Sequence, residues 1–262
     1  MVRIISVILV AFIIFSCKNQ VQPEKINYGD NPKAGHYADV NGIKLYYETY
    51  GNGEPLIMLH GNGGSIDAFR NQIPFFEKYY RVIAIDSRLQ GKSGGSSDTI
   101  SYELMASDFC ALLDQLQIKS AYVLGWSDGG IDGILMALNC PDRVKKLAAS
   151  GANTVADTTA LSQADFDWMK KVIADPKSSA KEKALNQMMI DQPNILFSEL
   201  GKIKCPVLIM AGDRDMIKAE HTLKIFQSIP GASLCIFPDS HHGVCQQHPE
   251  LFNETVLRFF QK

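Results

Sequence analysis

Short, continuous apolar runs alternate along this chain with longer stretches whose apolar residues recur every three or four positions. The runs are residues 56–59 (LIML), 82–85 (VIAI), 121–124 (AYVL), 144–150, 207–210 (VLIM) and 233–237. A run without polar interruption marks a strand buried on both faces. Between the runs, residues 65–80, 101–116, 128–139, 219–229 and 249–260 carry helical spacing. Ser65 stands where it would cap the first of these helices, and Pro141 stops the third. Ahead of them, residues 36–50 alternate apolar and polar around Asn41-Gly42, which predicts an antiparallel hairpin. The whole pattern predicts an α/β fold: a mostly parallel sheet, an N-terminal antiparallel hairpin, and helices on both faces. Ligands in such sheets bind beyond the carboxyl ends of the strands. Residues 152–201 break the rhythm, with no buried-strand run and with their best helices at 165–173 and 181–189. They read as an inserted helical cap and not as a second domain.

Composition narrows the function classes. The 262 residues are 46% hydrophobic and 21% charged, with a formal net charge of −2. A nucleic-acid partner is not expected, because a phosphate-binding surface needs a basic excess or stripe. The one basic run, residues 143–146, reads as a solvated helix end. The N-terminus carries more information. Arg3 precedes the uncharged apolar run 4–15, which is too short to cross a bilayer as a helix and fits the apolar region of a secretory signal. It closes on Phe15-Ser16-Cys17 and then turns polar at 18–20. That pattern resembles a bacterial lipobox, in which the Cys is lipidated and becomes the first mature residue. The expected organisation is a signal peptide at 1–16, a tether at 17–35 rich in Pro and Gly, and one domain at 36–262. The expected location is the bacterial cell envelope, facing the periplasm or the outside, with the membrane held through a lipid on Cys17. Five further Cys remain, with no CxxC pair. Zinc and thioredoxin-like readings are therefore unsupported. One disulfide is allowed, but spacing does not say which.

The chemistry gathers at the predicted strand ends. Gly125-Trp126-Ser127-Asp128-Gly129-Gly130 directly follows a strand and opens a helix. This is G-x-S-x-G in the context a nucleophile elbow requires, and it marks Ser127. A serine hydroxyl needs a base, and the base needs an orienting acid. In the order Ser, acid, His, the acid falls in Gly212-Asp213-Arg214-Asp215. Asp215 is the preferred candidate, with Asp213 shaping the turn. The base falls in Ser240-His241-His242-Gly243. The remaining His221 and His248 read as surface residues at helix ends. His60-Gly61-Asn62-Gly63-Gly64 follows the first buried strand and can present the Asn62 N–H opposite that of Asp128 as an oxyanion hole. Gly91-Lys92-Ser93-Gly94-Gly95 also matches G-x-S-x-G, but no helix opens at Ser93. It is not a P-loop either, because Asp86 stands where that motif needs Gly.

With these residues the chain resembles the α/β-hydrolase superfamily from about residue 36 to 262, and the expected fold class is the α/β-hydrolase fold. In that family the catalytic His often has a Pro seven residues on; Pro249 is seven after His242, which favours His242 over His241. Residues 86–93 resemble the family turn D-x-R-G-x-G-x-S, with Leu89 in place of Gly. Gly-Trp-Ser-Asp-Gly-Gly-Ile followed by Gly151-Ala152-Asn153 is similar to the valacyclovir hydrolase (biphenyl-hydrolase-like) branch. The resemblance implies hydrolysis of α-amino acid esters, with the Asp after the nucleophile holding the substrate ammonium. It makes Asp128 and Trp126 candidate substrate-binding residues; Asp128 also suits a helix N-terminus by charge alone. The expectation is a serine hydrolase cleaving a small carboxylic ester, the aminoacyl ester being the finer form, without metal or organic cofactor. Amide, lactone, thioester and C–C cleavage stay open, as does a non-catalytic envelope binding protein on the same fold.

Overall fold

The computed structural model describes residues 26–262; Cys17 and the signal segment lie outside the described residues. Eight strands form one sheet: β1 (Gly35–Val40), β2 (Ile43–Tyr50), β3 (Pro55–Leu59), β4 (Arg81–Ile85), β5 (Ala121–Trp126), β6 (Val144–Ser150), β7 (Val207–Gly212) and β8 (Ser233–Phe237). Their spatial order is β1-β2-β4-β3-β5-β6-β7-β8. The pairs β1–β2 and β2–β4 are antiparallel and all others parallel. The Asn41-Gly42 hairpin is present, with both residues at positive φ. The helices among the described residues are α1 (Ile73–Phe76), α2 (Tyr102–Gln115), α3 (Asp128–Asn139), α4 (Gln163–Ala174), α5 (Ala180–Asp191), α6 (Phe197–Leu200), α7 (Ala219–Ser228), α8 (Val244–Gln247) and α9 (Pro249–Gln261).

The apolar runs are continuous because each central strand feeds two cores. Ile57, Leu59, Ile83 and Val123 join the core with α2, α3 and α7, while their neighbours Leu56, Met58, Val82 and Leu124 join the core with α1 and α9. The parallel registers Leu59↔Gly125, Trp126↔Ser150 and Ser150↔Met210 align the strand ends. The loops after β3, β5, β6 and β7 therefore open on one rim. α2 begins at Ser101, whose side chain accepts the Leu104 N–H. A buried bidentate pair, Arg88 on Asp108, fastens the loop after β4 to α2. A disulfide, Cys110–Cys140, joins α2 to the end of α3. That pairing was open in the sequence.

Four expectations need correction. The helix expected over 65–80 is broken into a 3-10 turn, Ile66–Phe69, and the four-residue α1, and Ser65 makes no capping bond. Pro74 lacks an N–H and clashes with a preceding turn, so the helical spacing cannot run through it. The basic run at 143–146 is a helix end only at Arg143, which closes a 3-10 turn (Pro141–Arg143): Lys145 and Lys146 lie in β6, and Lys146 donates to the Phe259 and Phe260 carbonyls at the end of α9. His221 is buried, not a surface residue. From Tyr28 on, the stretch expected as tether packs on the sheet. Gly29 and Asn31 donate their N–H groups to the buried Glu48 carboxylate, which also takes the Tyr46 and Tyr50 hydroxyls.

Between β6 and β7 the chain forms the cap. α4 and α5 pack against each other, each opened by a capping box, Ser162 with Asp165 and Ser179 with Glu182. The two legs meet in a narrow neck: Ile195 N–H donates to the Thr154 carbonyl at 2.7 Å and Ala156 N–H to that of Pro193 at 3.1 Å. His221 on α7 holds the neck by accepting the Thr154 N–H at 3.1 Å.

Candidate active site

Ser127 stands between β5 and α3 with φ 57° and ψ −121°. A non-glycine residue there is strained, and such strain is kept where the surroundings over-determine it. Three features hold the turn. Ser127 N–H donates to the Ser150 carbonyl at 2.8 Å, and the Ser127 carbonyl takes the Gly130 N–H at 2.8 Å. Gly129 lies so close to β3 that a Cβ would meet the Leu59 carbonyl oxygen at 1.9 Å. This packing turns the Ser127 hydroxyl out over the rim.

His242, in the loop after β8, reaches Ser127 from the far side of the sheet. Its Nε2 lies 2.8 Å from Ser127 Oγ and its Nδ1 2.7 Å from Asp215 Oδ1. In the tautomer that donates Nδ1–H to the carboxylate, Nε2 is free to take the serine proton. The Asp215 side chain is 1% exposed and also accepts the Ile217 N–H at 3.0 Å. Its neighbour Asp213 points away and accepts the Ser240 N–H at 2.9 Å, which shapes the loop that carries the histidine. His241 is exposed and turned toward the Arg214 carbonyl. The structure thus brings Ser127, His242 and Asp215 into one hydrogen-bonded line and leaves Asp213 and His241 outside it. The second G-x-S-x-G is a structural turn: Ser93 Oγ donates to the Asp86 carbonyl and accepts the Tyr46 N–H.

The backbone N–H groups of Asn62 and Asp128 have no protein acceptor among the described residues. The loop bearing Asn62 lies against the elbow: a Cβ on Gly61 would meet the Ser127 Cβ at 2.9 Å. His60 steadies the loop, accepting the Ser87 N–H on Nε2 and facing the Gly61 carbonyl with Nδ1. Burial pushes the His60 imidazole down to about 4, so it is neutral at pH 7. Trp126 donates its indole N–H to the His242 carbonyl at 2.9 Å and lines the cavity.

A cavity of about 210 Å³ opens above Ser127. Its floor is Gly61, Asn62, Tyr102, Trp126, Asp128 and His242. Leu161, Trp168, Met169 and Met189 roof it from the cap, and Met216 and Ile217 come from the loop after β7. The lining includes two carboxylates, Asp128 and Asp165, and no Lys or Arg among the described residues. Asp128 is buried, its carboxylate accepts Asn62 Nδ2 at 2.9 Å, and Tyr102 lines the cavity with it. Burial raises its pKa to about 6, against the opposing pull of Asn62 and Tyr102. Tyr102, Trp168 and Met216 were not readable as site residues, because no local motif surrounds them. The side-chain bond between Asn62 and Asp128 was equally hidden. Among the described residues no group of three or more His, Cys, Asp or Glu is arranged to hold a metal.

Comparison with known proteins agrees with this architecture. A family model described as alpha/beta hydrolase fold matches residues 54–182. The 2-hydroxy-6-oxononadienedioate/2-hydroxy-6-oxononatrienedioate hydrolase of Comamonas testosteroni is 27% identical, over 84% of this chain and 92% of that protein. The serine hydrolase BPHL of Mus musculus is 26% identical, over 85% of this chain and 84% of that protein. The crystal structure of the enol-lactonase from Burkholderia xenovorans superposes with a TM-score of 0.74 at 22% identity, covering 87% of this chain and all of that one. The chain has the α/β-hydrolase fold. It is a distant homologue of serine hydrolase BPHL and of the meta-cleavage product hydrolases.

Proposed function

We propose that the protein is a serine hydrolase that cleaves a small carboxylic ester through an acyl-enzyme. The observation that carries this reading is the line Ser127 Oγ, His242 Nε2, His242 Nδ1, Asp215 Oδ1 beneath an apolar cavity. Ser127 Oγ attacks the ester carbonyl carbon while His242 Nε2 takes its proton. Asp215 keeps the imidazole oriented and stabilises its cationic form. The Asn62 and Asp128 N–H groups receive the oxyanion, each such donor contributing roughly 100- to 1000-fold. As the tetrahedral species collapses, His242 returns the proton to the departing alkoxide. A water then gives its proton to His242, attacks the acyl-Ser127 and releases the acid.

The charge of the cavity favours an ester over the bond cut by the Comamonas relative. That relative is named for a dioate, and a dianion would meet Asp128 and Asp165 here with no cationic side chain to pair with. Neutral and cationic substrates meet no such penalty. An aminoacyl ester is the finer form of the reading, supported by Asp128 within the cavity and by the BPHL likeness. The envelope location with a lipid on Cys17 also belongs to this proposal. It is supported by the disulfide Cys110–Cys140, since such bonds persist in oxidising compartments.

The test is a p-nitrophenyl ester panel (acetate, butyrate, an aminoacyl ester) with the soluble domain and its Ser127→Ala variant. The expected result is turnover that Ser127→Ala lowers on the order of 10⁶-fold in kcat. A folded protein with no turnover and no labelling by an active-serine probe would instead support the binding-protein reading. For the anchor, Cys17→Ser should move the protein out of the membrane fraction; unchanged lipid labelling removes that part.

A further inference from the structure

The two oxyanion donors come from elements that meet only in three dimensions. Asn62 lies in the loop after β3, and Asp128 is the first residue of α3. The Asn62 loop contains Gly61, Gly63 and Gly64, so few side chains are available to hold it. The bonds that do hold it run mainly elsewhere. His60 is tied to Ser87, Gly63 N–H donates to Gln90 Oε1 at 2.6 Å, and Gly64 N–H donates to the Gly61 carbonyl. Among the described hydrogen bonds of this loop, the one from Asn62 Nδ2 to Asp128 Oδ2, at 2.9 Å, reaches the helix that carries the other donor.

We propose that the Asn62 and Asp128 side chains form a brace that sets the separation and direction of the two oxyanion N–H groups, with Tyr102 behind it. The residues whose backbones stabilise the oxyanion thereby position each other through their side chains. This inference rests on the serine-hydrolase reading above. Asp128 is suited to the task. It is 4% exposed, and Tyr102 of α2 lines the cavity beside it. The second amide hydrogen of Asn62 points toward the Leu185 carbonyl of cap helix α5, a weaker contact at 3.4 Å. The brace therefore also links the cap to the oxyanion loop. Its value is preorganisation: donors must sit where the oxyanion will form, and a misplacement of about 1 Å costs about 100-fold. A carboxylate whose only role was to hold an ammonium would leave the turnover of neutral esters unaffected. A brace would not.

The test compares Asn62→Ala, Asp128→Ala, Asp128→Asn and Tyr102→Phe on neutral p-nitrophenyl butyrate, and measures the rate at which a fluorophosphonate probe labels Ser127. Phosphonylation places a developing phosphoryl oxyanion in the same hole as fluoride leaves. Asn62→Ala and Asp128→Ala should each lower kcat and the labelling rate about 10- to 100-fold, with KM within about threefold. Asp128→Asn keeps an acceptor oxygen for Asn62 and should recover at least about tenfold of the loss where that loss is largest. Tyr102→Phe should lose less than Asn62→Ala. Thermal melts check folding, and the half-exposed Asn62 carries the test if Asp128→Ala unfolds. Wild-type kcat and labelling in Asn62→Ala overturn the brace. So does an Asp128→Asn variant as slow as Asp128→Ala, because then charge and not the bond matters. A wild-type protein that neither hydrolyses esters nor takes the probe removes the hydrolase reading and the brace together.

Discussion

Asp132 sits one helical turn beyond Asp128 on α3, fully buried, with neither carboxylate oxygen bonded to the protein. Burial, and after it the charges of Asp128, Asp108 and Glu103, hold its pKa well above the ordinary carboxylate value. The folded chain then keeps a proton that the unfolded chain sheds near pH 4. Stability contributed by this group is complete below pH 4 and is lost as pH rises through the folded pKa. Asp132→Asn removes that loss. The expected outcome is a melting temperature raised by about 2–4 °C at pH 8, for roughly 1 kcal/mol in a chain of this size, with little gain at pH 4. Asp128, with a pKa of about 6, makes a second prediction. If it faces a substrate ammonium, the preference for an aminoacyl over a neutral ester, read as the ratio of kcat/KM values, grows from pH 5 to pH 7. A ratio flat across that range would leave Asp128 the positioning role alone. Both residues show what a single position can hide. Each is an Asp on an otherwise apolar helix, and only the three-dimensional neighbours separate a bonded acid from an unbonded one.

Among the elements, the cap neck has a titratable latch. His221 accepts the Thr154 N–H through Nε2, which it can do only while neutral. Burial lowers its pKa to about 4, as it does for His60 beneath the oxyanion loop. For a depressed base, stability is complete above the unfolded pKa of about 6.5 and is lost as pH falls through that value to the folded one. Thermal melts between pH 7 and pH 4 should therefore show a falling stability with an uptake of up to two protons on unfolding. His221→Leu should shallow that limb. An unchanged pH slope in the variant would show that the latch does not titrate with folding. His221 read as a surface residue because one helical position does not reveal that a distant neck will dock on it. The helix over 65–80 failed for a local reason that apolar spacing outweighed: Pro74 interrupts it. α2 and the cap helices α4 and α5 were legible because each has its own side-chain cap and its own spacing, and α3 because the elbow motif opens it and Pro141 closes it.

For the whole molecule, the disulfide closes α2 onto the end of α3 across a sequence separation of 30. Closing a loop of that length restricts the unfolded chain, so its loss costs about 2–4 kcal/mol. Cys110→Ser with Cys140→Ser should lower the melting temperature, and the oxidised wild type should lose as much on adding reductant. Equal melting with and without reductant would show that the bridge adds no stability. The sequence alone determined what rests on local sterics and burial. Buried strands must be apolar on both faces, a nucleophile elbow must be glycine-flanked between strand and helix, and acid and base must follow later strand ends. From these came the sheet, the cap's position and Ser127. Tertiary structure decided what depends on side chains meeting across long separations. Ser127 and His242 lie 115 positions apart, and Asn62 and Asp128 lie 66 apart. The choice of His242 over His241 by contact, the partners of Asp128, the Cys110–Cys140 pair and the charge of the cavity are of that kind. No periodicity along a chain encodes which side chains will meet once the sheet has aligned its strand ends.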